Sequence, residues 1–141
     1  MAAWTCVFES WRRLIGAAAW RDSFGDWEAN KRASVESQLR RQPECAIVTE
    51  LAGEVVGFLT WRLHSERGVG EISNNAVHPD HQRHGIGVAQ VRHALEALRE
   101  AGLTSARVLT GGDEGHAAAR SMYRKAGFVR GLPYVEYFLE L

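Results

Sequence analysis

Residues 78–87 read HPDHQRHGIG, and two glycines one residue apart follow Gln82, Arg83 and His84. A tight turn needs at most one glycine. Two of them opening a helix, beside basic side chains, suit the binding of an anion. The first N–H groups of a helix have no internal partner, and the helix dipole favours negative charge there. Gly85 and Gly87 keep a Cβ out of the path of a phosphate, while Arg83 and His84 supply charge-assisted donors. A nucleotide P-loop requires Lys-Ser/Thr after its last glycine, but Val88 and Ala89 stand there. The dinucleotide fingerprint requires a third Gly or Ala where Gln90 stands, and its acidic residue would be Asp113, which arrives late.

The elements that must hold this loop follow from periodicity. Helices are expected over 9–20 and 27–41, the second stopped by Pro43. Strands at 45–50 and 55–63 form a hairpin around Gly53, and 71–77 is a third strand that runs into the loop. Val88, Val91, Leu95 and Leu98 then mark one face of a helix ending near Gly102. A strand at 105–110, a helix at 116–126 closed by Gly127 and a final strand at 134–141 complete the chain. This order predicts an α/β (α+β) sandwich around a mixed sheet.

At 141 residues the chain reads as one domain, 1–141. Lys+Arg and Asp+Glu both number 17, so no global charge draws it to nucleic acid or an anionic membrane. No apolar run is long enough for a membrane span, and a cytoplasmic location is the default. Cys6 and Cys45 lack metal-ligand spacing and read as reduced thiols. His78 and His81 likewise have no ligand partners at useful spacing, so no metal is expected.

Two stretches carry a resemblance. QRHGIG (82–87) is similar to the Q/R-x-x-G-x-G/A pyrophosphate loop of the GCN5-related N-acetyltransferases (GNAT), and residues 71–87 resemble that family's fourth strand plus loop. Farther on, AAARSMYRKAGFV (117–129) resembles its second signature helix. The likeness covers residues 45–141 in element order. It implies a mostly antiparallel mixed sheet with flanking helices, splayed between the family's fourth and fifth strands. Before the helices, only residues 5–9 could supply the family's first strand.

The resemblance also implies acetyl transfer from acetyl-CoA to a primary amine by direct attack in a ternary complex. The pyrophosphate would sit over the amides of Arg83, His84, Gly85, Ile86, Gly87 and Val88, with Gln82 opening the loop. Backbone groups matching Ala76 and Val77 would hold the pantetheine arm, and the Val77 amide would face the thioester carbonyl. Where the family often has a cofactor-contacting Asn, this chain has His116, which can also donate a hydrogen bond. His116 and Tyr123 lie seven apart, two turns along one helix face. Tyr123 matches the family's proton donor to the departing thiolate. An amine of pKa ~10.4 is protonated at neutral pH and needs a base. Glu71 is the candidate, fourteen residues before the first loop glycine, and strict strand alternation would put Glu71, Ser73, Asn75 and Val77 on one face. The alternative on the same fold is a non-catalytic acyl-CoA-binding regulatory module; a dinucleotide-dependent oxidoreductase is disfavoured by Gln90. The acceptor, small molecule or protein, stays open, and a homodimer is common in the family.

Overall fold

Three helices open the chain: α1 (Ala2–Ile15), α2 (Ala17–Ser23) and α3 (Trp27–Arg41). The structure is a computed structural model that describes residues 1–139. The single helix expected over 9–20 is two helices, because Gly16 takes φ 86° between them and interrupts the ladder. Residues 5–9 lie within α1, so no strand precedes the helices. α3 starts at its expected residue, where the Asp26 side chain accepts from the Ala29 N–H.

β1 (Ala46–Leu51) and β2 (Glu54–His64) form the expected hairpin, and β3 (Val69–Val77) pairs antiparallel with β2. α4 (Ile86–Glu100) then crosses over so that β4 (Ser105–Val108) lies parallel to β3. The sheet order is β1-β2-β3-β4, and α5 (Ala117–Ala126) follows beside α4. This is the mixed, mostly antiparallel sheet with flanking helices that the resemblance implies.

α4 builds the core on one face. Its Val91, Ala94 and Leu98 are buried in a cluster with Leu59, Trp61 and Ile72. Burying each large aliphatic group stabilises by about 1.5–3 kcal/mol. Gly70 makes the close approach of α4 feasible, since a Cβ there would collide with the Leu98 methyls. α3 covers the opposite face through a polar seam. Gln38 Nε2 donates to the Trp61 carbonyl at 2.6 Å, and its Oε1 accepts from Thr60 Oγ1 at 3.2 Å and Asn74 Nδ2 at 3.4 Å.

The strand expected at 134–141 is corrected over 134–139, which form no ladder; residues 140–141 lie outside the described ones. Tyr134, Val135, Tyr137 and Leu139 are all exposed. Their pattern suits a strand, but a strand exists only where its backbone meets an edge.

β3 and β4 pair only from Val69↔Ser105 to Ile72↔Val108. β3 continues five residues further without β4, which is the splay implied by the resemblance.

Candidate active site

The phase of β3 changes where the splay begins. Trp61 pairs with Ile72 but Thr60 pairs with Asn74, leaving Ser73 as an unpaired bulge. Ile72 packs on the α4 side, whereas Asn74 bonds Thr60 and Gln38 on the α3 side. Strict alternation is therefore broken: Glu71 shares the α3 side with Asn74 and Ala76, not with Asn75 and Val77.

Glu71 is also occupied. Its carboxylate accepts from Arg62 Nη1 at 3.4 Å, lies 3.6 Å from His64 Nε2 and is paired with Arg107, its register partner on β4. It does not line the cleft described next. The bulge and two guanidinium groups thus hold Glu71, the expected base, in the paired part of the sheet.

Past Ile72 the strands part around a cleft of about 650 Å³. Ala76, Val77, Gln82, Arg83, Gly85, Ile86, Gly87, Val88, His116 and Tyr123 all line it. His84 does not; it is exposed. α1 contributes Trp4, Phe8 and Trp11 as a wall, and α3 contributes Lys31.

The backbone of β3 offers this cleft specific groups. The His78 N–H donates to the Val56 carbonyl at 2.7 Å, which makes Gly57↔Val77 and Leu59↔Asn75 non-hydrogen-bonded pairs. Asn75 and Val77 thus turn their N–H and C=O groups toward the opening, whereas those of Ala76 face Phe58. Both carbonyls are taken: Trp4 Nε1 donates to Asn75 O at 3.1 Å and Gln82 Nε2 to Val77 O at 3.0 Å. The amides remain. Ser73 Oγ, Asn75 Nδ2 and Thr110 Oγ1 are also buried without partners among the described residues.

The loop's two glycines do different work. Gly85 takes φ 83° as the N-cap of α4, and nothing stands within 4 Å of where its Cβ would be. It leaves open space before the helix. At Gly87 a Cβ would come 2.5 Å from Met122 Sδ, so its bareness serves the packing of α4 on α5. The first intrahelical bond runs from the Ala89 N–H to Gly85 O, leaving the amides of Ile86, Gly87 and Val88 outside the ladder. Arg83 is held at φ 64°, an unusual geometry for a side-chain-bearing residue and one associated with ligand-binding turns.

α5 brings two ionisable side chains to the cleft. Burial pushes the Tyr123 phenol up to about 12, and its ring meets Phe128 edge-on at 5.9 Å. His116, at the N-cap of α5, bonds through Nδ1 to Asp113 Oδ1 at 2.6 Å.

The Acetyltransferase (GNAT) family profile matches residues 12–128. The chain belongs to the GNAT family. Mycothiol acetyltransferase of Streptomyces avermitilis is 33% identical over 86 residues, which are 61% of this chain and 27% of that protein. This GNAT chain therefore spans about a quarter of the length of that relative. An acetyltransferase of Sodalis glossinidius is 29% identical over 119 residues, covering 84% of this chain and 75% of the relative. Among solved structures, Ard1 of Thermoplasma volcanium superposes with TM-score 0.63 at 32% identity, covering 71% of this chain and 66% of that one.

Sequence reasoning on this GNAT chain missed Asp113 as a partner of His116, and with it the grip of α1. Trp11 Nε1 donates to Asp113 Oδ1 at 3.1 Å and Ser10 Oγ to Oδ2 at 3.2 Å. Burial alone would push the Asp113 carboxyl up; the bonds from Trp11 and His116 and the His116 charge outweigh it and hold the group below its usual range. The Asp-x-x-His spacing was a usable signal, but the partners on α1 are about a hundred residues away. Among the described residues no cluster of His, Cys, Asp or Glu could hold a metal, and no helix is long and apolar enough to cross a membrane.

Proposed function

We propose that this chain is an acetyl-CoA-dependent N-acetyltransferase that passes its acetyl group directly to a primary amine in a ternary complex. The observation that carries this reading is the unpaired Val77 amide. It faces a cleft that also holds the ladder-free amides of Ile86–Val88 and the Tyr123 side chain.

On this reading the pyrophosphate rests on the start of α4, with Arg83 adding charge, and the pantetheine arm follows Asn75–Val77 in place of the missing strand partner. His84 stays outside, and Ala76 contributes surface rather than backbone bonds. The Val77 amide hydrogen-bonds the thioester oxygen as it gains negative charge; one such donor is worth about 10²–10³ in rate. Attack forms the N–C bond, and collapse breaks C–S.

Tyr123 faces the leaving sulfur as a hydrogen-bond donor. A phenol near 12 is a poor acid toward a thiolate whose conjugate acid titrates near ~8.5, by roughly 5 kcal/mol at ~1.4 kcal/mol per unit. Full transfer therefore has to be coupled to the proton leaving the attacking nitrogen. What burial secures is that Tyr123 keeps its proton throughout the working pH range.

The acceptor enters on the side of α1, between aromatic rings. Lys31 lies 4.7 Å above the Trp4 ring, its pKa lowered by burial and then by Arg62. Among the described residues no Asp or Glu lines the cleft, while Lys31, Arg83 and Lys125 do. This supports an acceptor whose only positive charge is the reacting amine.

The test is an assay of free-thiol release from acetyl-CoA against primary amines with and without additional cationic groups. One thiol per amide formed, favouring singly charged amines, supports the reading. Acetyl-CoA binding with no thiol release by any amine would favour the acyl-CoA-binding regulatory module instead.

A further inference from the structure

We propose that His116, positioned by Asp113, is the general base that deprotonates the acceptor amine. This rests on the acetyltransferase reading above and gives the reaction a proton acceptor inside the cleft, which Glu71 does not line.

His116 and Asp113 are nearly enclosed, at 13% and 12% side-chain exposure, and their 2.6 Å bond joins Nδ1 to Oδ1. An ionised carboxylate only accepts, so Nδ1 must donate, and the lone pair of a neutral ring falls on Nε2. Nε2 has no partner among the described residues, and His116 lines the cleft. A carboxylate bonded to one ring nitrogen both fixes the tautomer and stabilises the imidazolium that forms when the other takes a proton.

The carboxylate is itself anchored. Trp11 and Ser10 on α1 bond its two oxygens, while Arg120 donates to the Gly111 and Asp113 carbonyls at 2.6 Å each. The Trp11 ring lies 5.2 Å from the imidazole at 33°. The ring is thus fixed from its own turn, from α5 and from α1, the helix that walls the acceptor side. A group serving only as a cofactor contact needs no such buried anion behind it.

Distances suit the task. His116 and Tyr123 are two turns apart, about 10 Å along the helix axis. Two hydrogen bonds of about 3 Å each, with an N–C–S unit between them, span a comparable length. One residue can therefore serve the nitrogen and the other the sulfur.

The protons balance. An acceptor ammonium gives one proton to His116, which releases it to solvent. The free amine attacks; as C–S breaks, the second nitrogen proton replaces the one that Tyr123 supplies to sulfur. The products are an amide, free CoA thiol and one proton. The charged groups facing His116 are Asp113 and Glu114 on its turn and Arg120 on α5, while α1 presents Trp11 and Ser10. Asp113, held below its usual range, stays ionised at neutral pH and does not itself produce a limb there. A general base acts only when unprotonated, so activity rises with pH through the limb that the imidazole sets.

The experiment compares the parent with His116→Asn and Asp113→Asn, reading acetyl-CoA affinity by calorimetry and the pH dependence of kcat by thiol release. The expected result for His116→Asn is affinity within about threefold of the parent, kcat down about 10²-fold or more at pH 7, and loss of the imidazole limb. Asp113→Asn should move that limb to lower pH and cut kcat about tenfold, since the imidazolium loses its partner. An unchanged kcat and limb in His116→Asn, with binding retained, would overturn the base assignment while leaving the transferase reading intact. Acetyl-CoA binding by the parent with no thiol release for any amine would overturn both. If His116→Asn fails to bind and proves misfolded, an unmoved limb in Asp113→Asn would still overturn the proposal.

Discussion

β3 is two strands in one. From Val69 to Ile72 it is paired on both sides, and its side chains are committed: Ile72 to the core, Glu71 to Arg62 and Arg107. From Ser73 to Val77 it keeps β2 but loses β4, and it lines a cleft with free amides and unpartnered side chains. The Ser73 bulge marks the junction. Free polar groups in this strand arise where pairing is withheld, and ion pairs accumulate where it is complete. Glu71 is only two residues from the bulge, yet it belongs to the first half.

Substitutions should separate the halves. The largest effect is expected for Gly87→Glu, which puts a carboxylate beside the ladder-free amides of Ile86–Val88 and a side chain against Met122; acetyl-CoA binding should be abolished in calorimetry. Tyr123→Phe comes next. It should lower kcat about 10–100-fold with affinity nearly unchanged, and an unaltered rate would remove the donor role. In the paired half, Gly70→Ala forces a Cβ onto Leu98 and should destabilise by about 1–3 kcal/mol in urea unfolding, without a comparable loss of acetyl-CoA affinity per folded molecule. Glu71→Gln should do least, costing about 1 kcal/mol or less because Arg62 and Arg107 are 41% and 62% exposed. Its pH–rate profile should superimpose on the parent's; a shifted acid limb would return Glu71 to the reaction.

The legible parts were those written locally. The Gly-x-Gly loop, the α4 stripe and the hairpin declare themselves within a dozen residues, because caps, turns and periodicity are short-range. The cleft's remainder is set by distant partners. Whether Glu71 faces Asn75 depends on a bulge that no alternation pattern shows. Which β3 amides are free depends on one bond, His78 to Val56. The anion behind His116 is held by Trp11 and Ser10, about a hundred residues upstream. The motif alone casts Gly87 as a ligand contact; its packing against Met122 depends on where α5 lies. Residues 134–139 are nearly all apolar or aromatic, which suits a strand but says nothing about the availability of an edge.

The most direct test is residue-resolved amide NMR of the chain titrated with acetyl-CoA. The amides of Asn75 and Val77 and those of Ile86–Val88 should shift and gain protection from exchange, while Glu71 and Arg107 stay unmoved. Perturbation confined to the paired half, or no response at Val77, would contradict the assignment of the splayed strand as the acetyl-CoA site.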